Sequence, residues 1–593
     1  MKTKFTLLFL IFIKITVSFA QMTVKNGTTV YVIDEIVYVK GNIELTTVTD
    51  NITLRNEAQL IQGELAITTN TGLGYLSVFQ EGDANAYHYN YWSSPVGNTT
   101  NTVINNPFTL SLLRDGDTTS ASFGNLTAFI GDLEGTWSPL TLSTKWLYTF
   151  AGTSWTLIRE TDNINSGVGF IHKGTDNAGS NNGVGATIQG QRYEFKGKPN
   201  SGDITIATTI NEHYLLGNPY PSALDSDQFI LNNAAIIKDN TLYFWDQWGA
   251  SSHYSADYTG NYATYLSNGL GLGVAVAATT PLIGAGGNPT PKVPKRYMPI
   301  AQGFFIDAAT TGNLLFKNSQ RPKDVFGSVS FHDTYKESAA GEGSVFLKSS
   351  SIKRTTDSER LNYYLGDEMT FPTLVFNIEV NQLFNRHLML ILRPDANETV
   401  EIGREAKMYD DLSSDAFWVI DSVKYSIQSD AFSNDKKIPI GFKTDVDGAF
   451  KIAIEANEYD APTTVYLYDK ETENEYLLDA EKSISLMAGE YMDRFEIRFA
   501  SSTLDLSENI FLNYTTYFNN DTKELIIDNP NNLQLKNVII FDITGKEVFS
   551  KRKLHQRTQY RFFLQNLSSG IYIVKSEINN NQVSTKKVSV VKK

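Results

Sequence analysis

The sequence predicts a multidomain all-β protein, with a β-helix-like stack at the N-terminus, β-sandwich units after it and a further small sandwich at the C-terminus. Short runs of alternating apolar and polar residues, broken by Gly, Asn and Asp, recur along most of the chain. This period-two alternation is typical of strands. Aromatic residues make up 12% and hydrophobic residues 41% of the 593 residues, which favours strands and packed cores over disorder.

Residues 1–20 predict a secretory signal peptide. Lys2 and Lys4 precede the apolar run Phe5–Ile13, and small residues end the segment. Lys14 interrupts the apolar stretch well short of the roughly 20 residues that span a bilayer. The sequence therefore favours cleavage over a membrane anchor, and we expect a soluble mature chain with no membrane span.

Charge and cysteine content narrow the function classes. The chain has no cysteine, which is more natural for an exported bacterial protein than for a small eukaryotic secreted domain and removes thiolate chemistry. Residues 21–505 carry a net charge of −23, whereas residues 506–593 carry +6. Because an acidic body repels phosphate backbones, nucleic acid is not an expected partner.

Residues 21–75 predict the β-helix-like stack. Short alternating bursts such as Val30-Tyr31-Val32 are punctuated by Gly41 and Gly63. The spacing indicates a few coils, which are too few to be stable alone and would have to cap the next domain.

Residues 76–325 predict a β-rich region with a degenerate duplication, 76–205 and 206–325. Pro95 and Pro219 lie in motifs that are offset by 124 residues. Glycine–aromatic motifs also recur by chance in β-proteins, so both explanations stay open. The paired motifs are Tyr91-Trp92-Ser93-Ser94-Pro95 with Leu215-Leu216-Gly217-Asn218-Pro219, Leu147-Tyr148 with Leu242-Tyr243, Gly169-Phe170-Ile171 with Gly303-Phe304-Phe305, and Tyr193-Glu194-Phe195 with Leu314-Leu315-Phe316.

The remainder of the body predicts a polar linker at 326–355 and a β-sandwich at 356–500. Strand-like runs return every 8 to 12 residues or so in the second segment, as in sandwiches. Asp447-Gly448 lies between two such runs, which is a hairpin signal.

Residues 510–593 carry the most specific motifs in the chain. The segment Val538 to Val548 holds Phe541-Asp542-Ile543-Thr544-Gly545-Lys546, Leu567 to Lys575 holds Ser569-Gly570-Ile571-Tyr572, and the chain closes on the basic run Lys586 to Lys592. This pattern resembles the C-terminal sorting domain of substrates of the type IX secretion system of Bacteroidota. The resemblance implies an immunoglobulin-like sandwich, the type IX secretion machinery as a partner, and a protein that is secreted or attached to the outer-membrane surface.

The body resembles large secreted proteins of flavobacteria that share this sorting domain. Asn218-Pro219-Tyr220-Pro221 and Gln302-Gly303-Phe304-Phe305 carry that likeness. The likeness implies location and architecture, and it assigns no chemistry.

Catalytic motifs do not single out any residue. The seven histidines form no His-Glu-x-x-His pair, and neither a Gly-x-Ser-x-Gly elbow nor a Walker loop occurs. Two facing carboxylates could make a glycoside hydrolase, but nothing in the order of residues selects a pair. We therefore nominate no catalytic residue and no cofactor, with calcium as the one metal left open.

The calcium hypothesis rests on aspartates in turns. Asp445 and Asp447 flank one turn, and Asp115 and Asp117 flank another. Carboxylates in a turn suit a hard cation. Neither turn has the later glutamate of an EF-hand, so ordinary Asp-Gly turns are the alternative.

Tryptophans are the candidate ligand-binding residues. Aromatic faces stack on the apolar faces of sugars. Trp245 and Trp248 are the favoured pair because polar and glycine neighbours indicate a loop, and Trp92 is the third candidate. Trp146 and Trp155 lie near the same motifs. The alternative for each is a place in a core.

Two sites fit the Asp-Ser/Thr pattern of Bacteroidota O-glycosylation by resemblance. They are Thr118 and Ser422. An unmodified loop is the alternative at both.

Two functional hypotheses follow. The first is a secreted or surface protein that binds extracellular polymer or takes part in adhesion. The second is a secreted polysaccharide-acting enzyme of the glycoside hydrolase type. The sequence leaves the ligand, the oligomeric state and the choice between release and surface attachment open.

Overall fold

A computed structural model gives the fold as two compact units, Met1–Ile497 and Arg498–Lys593. Both are built from strands, so the predicted all-β fold class is confirmed. The predicted signal peptide (1–20) and the predicted linker (326–355) lie outside the described residues. The structure describes residues 22–63, 70–99, 105–116, 123–175, 190–250, 252–267, 273–282, 291–322, 371–397, 399–458, 461–462, 464–500, 514–520, 522–530, 532–578 and 583–591.

The first coils form a parallel β-helix, as the sequence predicts. Their strands are β1 (Met22–Val24), β2 (Thr29–Ile33), β3 (Ile36–Val39), β4 (Ile43–Leu45), β5 (Asn51–Arg55), β6 (Gln59–Gln62), β7 (Thr71–Gly72) and β8 (Tyr75–Asp83). Successive coils stack these strands in the parallel series β1–β4–β7, β2–β5–β8 and β3–β6. Thr29 pairs with Asn51 and Ile36 with Gln59, so one coil takes about 22 residues, as in solenoid repeats.

The β-helix is joined to the region that follows it. Strand β8 closes the parallel series and also pairs antiparallel with β17 (Gly190–Pro199). At β6, the last strand of its series, the Leu60 amide donates to the Pro221 carbonyl at 2.9 Å, and Gln59 Oε1 accepts from the Ala223 amide at 2.8 Å. The central region thus covers the coil that would otherwise expose its apolar interior.

A nine-stranded antiparallel sheet dominates the central region. Its order is β23–β22–β21–β26–β19–β14–β16–β9, with β15 paired to β14. Strands and helix of the region are β9 (Tyr89–Trp92), β10 (Val96–Gly97), β11 (Arg114–Asp115), β12 (Ala128–Ile130), β13 (Thr141–Ser143), β14 (Tyr148–Gly152), β15 (Ser154–Leu157), β16 (Phe170–Lys173), β17, β18 (Ile204–Thr208), β19 (His213–Gly217), β20 (Leu224–Asp225), α1 (Ser226–Asn232), β21 (Thr241–Gly249), β22 (Thr259–Ser267), β23 (Gly273–Val276), β24 (Thr280–Pro281), β25 (Tyr297–Met298), β26 (Gly303–Asp307) and β27 (Gly312–Phe316). Single 3-10 turns lie at Leu110–Leu112, Thr144–Trp146, Lys238–Asn240, Ser255–Asp257 and Asn318–Gln320.

Helix α1 is short and packs beside this sheet. The Asp225 carboxylate accepts from the amides of Asp227 (3.1 Å) and Gln228 (3.3 Å), which caps the first turn. None of the helices in the described stretches is long and apolar enough to cross a membrane.

The two halves of the central region repeat one pattern of strand pairing. Strands β9, β14, β15, β16 and β17 correspond in order to β19, β21, β22, β26 and β27. Trp92 pairs with Phe170 in the first half, and Leu216 pairs with Phe304 in the second. These are the positions that the predicted duplication equates, so the pairing supports it. Superposition of 76–205 on 206–325 is the test, with Pro95 expected to fall on Pro219.

Reciprocal hydrogen bonds join the two halves. The Ser93 amide donates to the Ala301 carbonyl at 2.9 Å, and the Gly217 amide donates to the Gly167 carbonyl at 3.1 Å. Both acceptor residues have a left-handed backbone, with φ of 65° at Ala301 and 85° at Gly167. The chain therefore makes the same tight turn at equivalent places, and each turn receives a strand of the other half.

The region from 371 to 498 continues the same unit. Its strands are β28 (Thr373–Val380), β29 (Phe384–Leu392), β30 (Ala406–Lys407), β31 (Asp415–Ile420), β32 (Val423–Asp430), β33 (Lys437–Thr444), β34 (Gly448–Glu458), β35 (Tyr466–Asp469), β36 (Asn474–Leu477), β37 (Lys482–Leu486) and β38 (Gly489–Arg498). They form a twelve-stranded sheet that includes β24 of the central region, paired with β29. Buried Met389 and Ile427 share a core with Tyr265 and Val274. The sequence predicted 356–500 as a domain of its own; the shared core and shared sheet instead merge it with the central region.

The C-terminal unit is a small sandwich. Its strands are β39 (Thr515–Asn519), β40 (Glu524–Asp528), β41 (Leu535–Asp542), β42 (Glu547–Arg552), β43 (Gln559–Phe563), β44 (Gly570–Ile578) and β45 (Val583–Val590). They form a three-stranded sheet, β39–β40–β43, and a four-stranded sheet, β42–β41–β44–β45. Leu525, Ile527, Val538, Ile540 and Val574 lie in a core made by this unit alone.

We expect Gly167→Ala to lower the free energy of unfolding of the first unit by about 2 kcal/mol. A Cβ at Gly167 would lie 2.9 Å from the Phe316 ring, and the residue would also have to keep its positive φ. Urea unfolding of the full chain, followed by tryptophan fluorescence, measures the change. The control is Gly131→Ala, where a Cβ meets nothing within 4 Å. Equal midpoints for the two variants would contradict the role given to this turn.

Candidate functional site

One face of the nine-stranded sheet carries a set of aromatic side chains. In β9, Tyr91 lies on this face, whereas Trp92 points into the core. The opposite face of the sheet packs into the two main hydrophobic cores, and within the aromatic set Trp155 is the residue that is exposed to solvent. The aromatic face is defined by Tyr91, Tyr148, Phe150, Trp155, Ile171, Leu215, Tyr243, Trp245, Tyr262 and Phe305.

Cross-strand pairs repeat within this face. Phe150 is directly opposite Trp155, and their rings lie 5.1 Å apart at 74°. Trp245 is directly opposite Tyr262, and those rings lie 5.1 Å apart at 62°. Edge-to-face pairs of this kind are the favoured arrangement of aromatic rings.

A second pair of positions repeats in the same way. Tyr148 is opposite Ile171, and Tyr243 is opposite Phe305. The aromatic face therefore consists of two equivalent halves. The first half is Tyr91, Tyr148, Phe150, Trp155 and Ile171; the second half is Leu215, Tyr243, Trp245, Tyr262 and Phe305.

The two halves differ in how far they are covered. Trp155 is 40% exposed and Tyr148 is half-buried, whereas their counterparts Tyr262 and Tyr243 are half-buried and 3% exposed. Ile171 and its counterpart Phe305 are buried alike, at 3% and 2%. Tyr409, from the segment between β30 and β31, lies over the second half. Its ring centroid is 4.4 Å from that of Tyr243 and 4.6 Å from that of Tyr262.

Acidic groups border the covered half. His213 Nδ1 is hydrogen-bonded to the Asp307 carboxylate, and the Tyr409 hydroxyl lies 3.5 Å from the same nitrogen. Burial raises the pKa of Asp410 to about 6; Arg386 opposes the rise and Asp415 adds to it. The rim of the face is thus acidic and carries an imidazole held in a fixed orientation.

A buried lysine lies at the end of the same face. Lys173 pairs across the strands with Tyr89, and its Nζ lies 4.0 Å from the Trp146 ring centroid and 4.8 Å from that of Tyr258. The ammonium donates to the Tyr258 hydroxyl at 2.5 Å and lies 3.0 Å from His253 Nδ1. We name these five residues the lysine cage. A cation over aromatic faces is attracted by the ring quadrupoles.

The environment of the lysine cage lowers the pKa of two of its residues, Lys173 and His253. Burial lowers the pKa of Lys173 to about 8. Burial and the neighbouring Lys173 charge both lower the pKa of His253, which stacks on Trp146 at 4.9 Å. The cage holds the loop with His253 and Tyr258 onto the edge of the sheet.

The three tryptophans that the sequence predicts as ligand contacts lie in different environments in the structure. Trp245 lies on the aromatic face. Trp248 lies beyond it, near the end of β21, and donates to Thr279 Oγ1 at 3.3 Å. Trp92 is 2% exposed and packs against His172 and other core rings, so its nomination as a ligand contact is corrected to a core role. Alternation along β9 puts Tyr91, not Trp92, on the open side.

Several residues of the site are not among the ligand contacts that the sequence predicts. They are Trp155, Tyr91, Phe305 and Tyr409. The available signal was the register of the repeat, because Phe150-x-x-x-x-Trp155 and the Trp245 hairpin occupy equivalent places. Tyr409 comes from a distant segment and has no local signal.

The aspartates of the calcium hypothesis serve as turn acceptors. Asp445 Oδ1 accepts from Ser414 Oγ at 2.6 Å, and Asp447 Oδ1 accepts from the Ala488 amide at 2.9 Å. Within the described ranges, no group of three or more His, Cys, Asp or Glu side chains could hold a metal. Of the other turn, Asp115 pairs with Tyr193 in β17, and Asp117 lies outside the described residues.

The structure describes one of the two predicted modification sites. Ser422 is exposed in the turn between β31 and β32, where Asp421 and Ser422 both have positive φ. Thr118 lies outside the described residues. Glycosylation stays a prediction at both.

Comparison with known proteins gives families and weak structural likenesses. Residues 9–499 match the family model described as Domain of unknown function (DUF8693), and residues 510–590 match Domain of unknown function (DUF8694). No curated protein matches the sequence.

Two solved structures are similar in part. A polysaccharide lyase aligns at 8% identity over 38% of this chain and 40% of its own, with a TM-score of 0.12. The BSP domain of a biofilm associated protein aligns at 8% identity over 87% of this chain and 96% of its own, also with a TM-score of 0.12. The chain thus spans less than half of the lyase, and TM-scores at this level support no statement about fold or activity.

We expect the stability contributed by Lys173 to rise with pH. Because burial lowers its pKa, the folded chain releases the proton near pH 8, whereas the unfolded chain keeps it up to about 10.5. Relative to Lys173→Met, the wild type should therefore gain on the order of 1 kcal/mol of unfolding free energy between pH 7.5 and pH 9.5. Urea unfolding at the two pH values measures this. The exposed Lys25→Met serves as control, and a pH-independent difference for Lys173→Met would contradict the lowered pKa of Lys173.

Proposed function

The chain belongs to the family described as Domain of unknown function (DUF8693), and we propose that it binds an extracellular polysaccharide through the aromatic face without cleaving it. The observation that carries this proposal is the first half, where Trp155 is 40% exposed beside Tyr91 and Phe150. The apolar C–H faces of sugar rings stack on such side chains. An exposed tryptophan on a cluster of partly buried aromatic residues, beside a polar rim, also fits an interaction site.

The negative charge of the protein narrows the class of polymer that the aromatic face would bind. Residues 21–505 carry a net charge of −23, and Asp307 and Asp410 border the aromatic face. A surface of this sign repels uronate-rich and sulfated chains. The proposal is therefore a neutral polysaccharide.

The C-terminal unit supports a second part of the proposal, which concerns location. This unit has its own core and a net charge of +6 over residues 506–593, against −23 before it. We propose that it is an export module that carries the binding unit out of the cell through the type IX secretion machinery. The mature protein would then act as a secreted or surface-attached adhesin.

An enzyme is the alternative function, and one observation favours it. His213, oriented by Asp307, lies beside the Tyr409 hydroxyl at the rim of the aromatic face. An imidazole held in this way is a suitable general base. Release of reducing ends from a polysaccharide, abolished by His213→Ala, would establish this alternative.

We expect Trp155→Ala to weaken binding to a neutral polysaccharide at least tenfold, which corresponds to about 1.4 kcal/mol. The reason is that the substitution removes the most exposed stacking surface of the first half. Affinity electrophoresis of the chain without residues 1–20, in gels containing β-glucan, mannan or xylan, measures the effect. Alginate and chondroitin sulfate test the predicted discrimination against anionic chains.

The matched control for that experiment is Tyr31→Ala. Tyr31 is also 40% exposed but lies in the β-helix, away from the aromatic face. Its removal should leave mobility unchanged. Equal losses for the two variants, or no retardation of the wild type in any gel, would count against the proposed function.

The export proposal predicts that residues 498–593, placed behind a signal peptide and a fluorescent reporter, deliver the reporter to the cell surface or the medium. The host is a bacterium with a type IX secretion system. The control fusion ends at residue 582 and so lacks β45. If the full fusion stays in the periplasm, the C-terminal unit is not an export module.

A further inference from the structure

We infer that the first half of the aromatic face holds one pyranose ring over Tyr148 and Trp155, and that the phenol ring of Tyr409 fills the corresponding place on the second half. The inference rests on the proposed function and deepens it. It states which half of the face is the binding site, what unit of the polymer the site holds, and why the other half is closed.

The two places correspond by strand register. Tyr148 is opposite Leu157, two positions from the pair that Phe150 makes with Trp155. The same spacing relates Tyr243 to the pair of Trp245 with Tyr262. Tyr148 and Trp155 thus stand in the first half where Tyr243 and Tyr262 stand in the second.

Tyr409 shows what fits on such a pair. Its ring lies 4.4 Å from Tyr243, tilted by 37°, and 4.6 Å from Tyr262 at 64°. It also lies 6.0 Å from Phe305. The place therefore accepts a flat six-membered ring that presents one face to the first tyrosine and an edge to the second.

The covering segment is firmly held. Asp411, two residues after Tyr409, pairs with Lys424 at 2.7 Å and with Lys443 at 2.8 Å. The Tyr409 hydroxyl approaches His213. The chain itself thus covers the second half at Tyr243 and Tyr262.

The open place has the chemistry of a pyranose subsite. Tyr148 is half-buried and Trp155 is 40% exposed, so both side chains are partly open to solvent. A pyranose ring has the size of the phenol ring and carries apolar C–H groups on its faces. The hydroxyls of the pyranose ring would stay in contact with water, because this place is partly open to solvent.

The test is to empty the second half. We expect Tyr409→Ala to raise the number of bound trisaccharides per chain from one to two in calorimetric titrations with cellotriose, mannotriose and xylotriose. Trp155→Ala should weaken binding at least tenfold. The double variant Trp155→Ala/Tyr409→Ala should bind one trisaccharide again, now on the second half.

Two further variants keep the result decisive. Tyr409→Phe keeps the ring and should behave as the wild type. Tyr409→Leu removes the ring but keeps an apolar side chain, and it replaces the alanine variant if circular dichroism shows that the latter misfolds. Either of the smaller residues should open the second place.

The outcomes separate the two proposals. If the wild type binds neither the trisaccharides nor their parent polysaccharides, the proposed function itself fails. If the wild type binds but no Tyr409 variant adds a site, and the double variant stays inactive, only the assignment of the two halves is overturned. Wild-type affinity that survives Trp155→Ala would overturn the assignment as well.

Discussion

The fold of the central region depends on the reciprocal hydrogen bonds between its two halves. Ser93 donates to the turn at Ala301, and Gly217 donates to the turn at Gly167. Together with the pairing of β14 with β19, these contacts place the strands of both halves in one sheet. Without this junction each half would have additional open edges, which could pair with other chains. The continuous aromatic face is a direct product of this junction.

Much of the fold could be predicted because strand alternation is local. The β-helix followed from short bursts near Tyr31 and Tyr38, since each coil repeats a pattern that the sequence shows directly. The turn at Gly545 has φ of 80° and marks a hairpin, as its Thr-Gly-Lys context indicates. What local patterns cannot show is which segments share a core. Strand β24 joins a sheet built by residues more than about a hundred positions later, and no periodicity reports that.

The candidate site was predictable only in part, for a related reason. Tryptophans were favoured as ligand contacts because their residue type suggests stacking, but residue type does not say which side of a strand faces the core. Trp92 and Tyr91 are neighbours in β9, but Trp92 lies in the core and Tyr91 lies on the aromatic face. Tyr409 acts on side chains far from it in sequence, so only the three-dimensional structure connects it with Tyr243. The repeat motifs do carry information about the site, because residues at the same register in the two halves lie on the same face of the sheet.

The pairing of β8 with β17 has a consequence for how the chain reaches this fold. Leu76 in the last coil of the β-helix pairs with Gly197. The two residues are roughly 120 positions apart, so loop entropy opposes the formation of this pair. Because the coils are too few to be stable alone, we expect the β-helix to be completed only when this pairing forms. We expect the strands between β8 and β17 to be exposed until then, so that the rate of this closure sets how long the chain stays prone to aggregation.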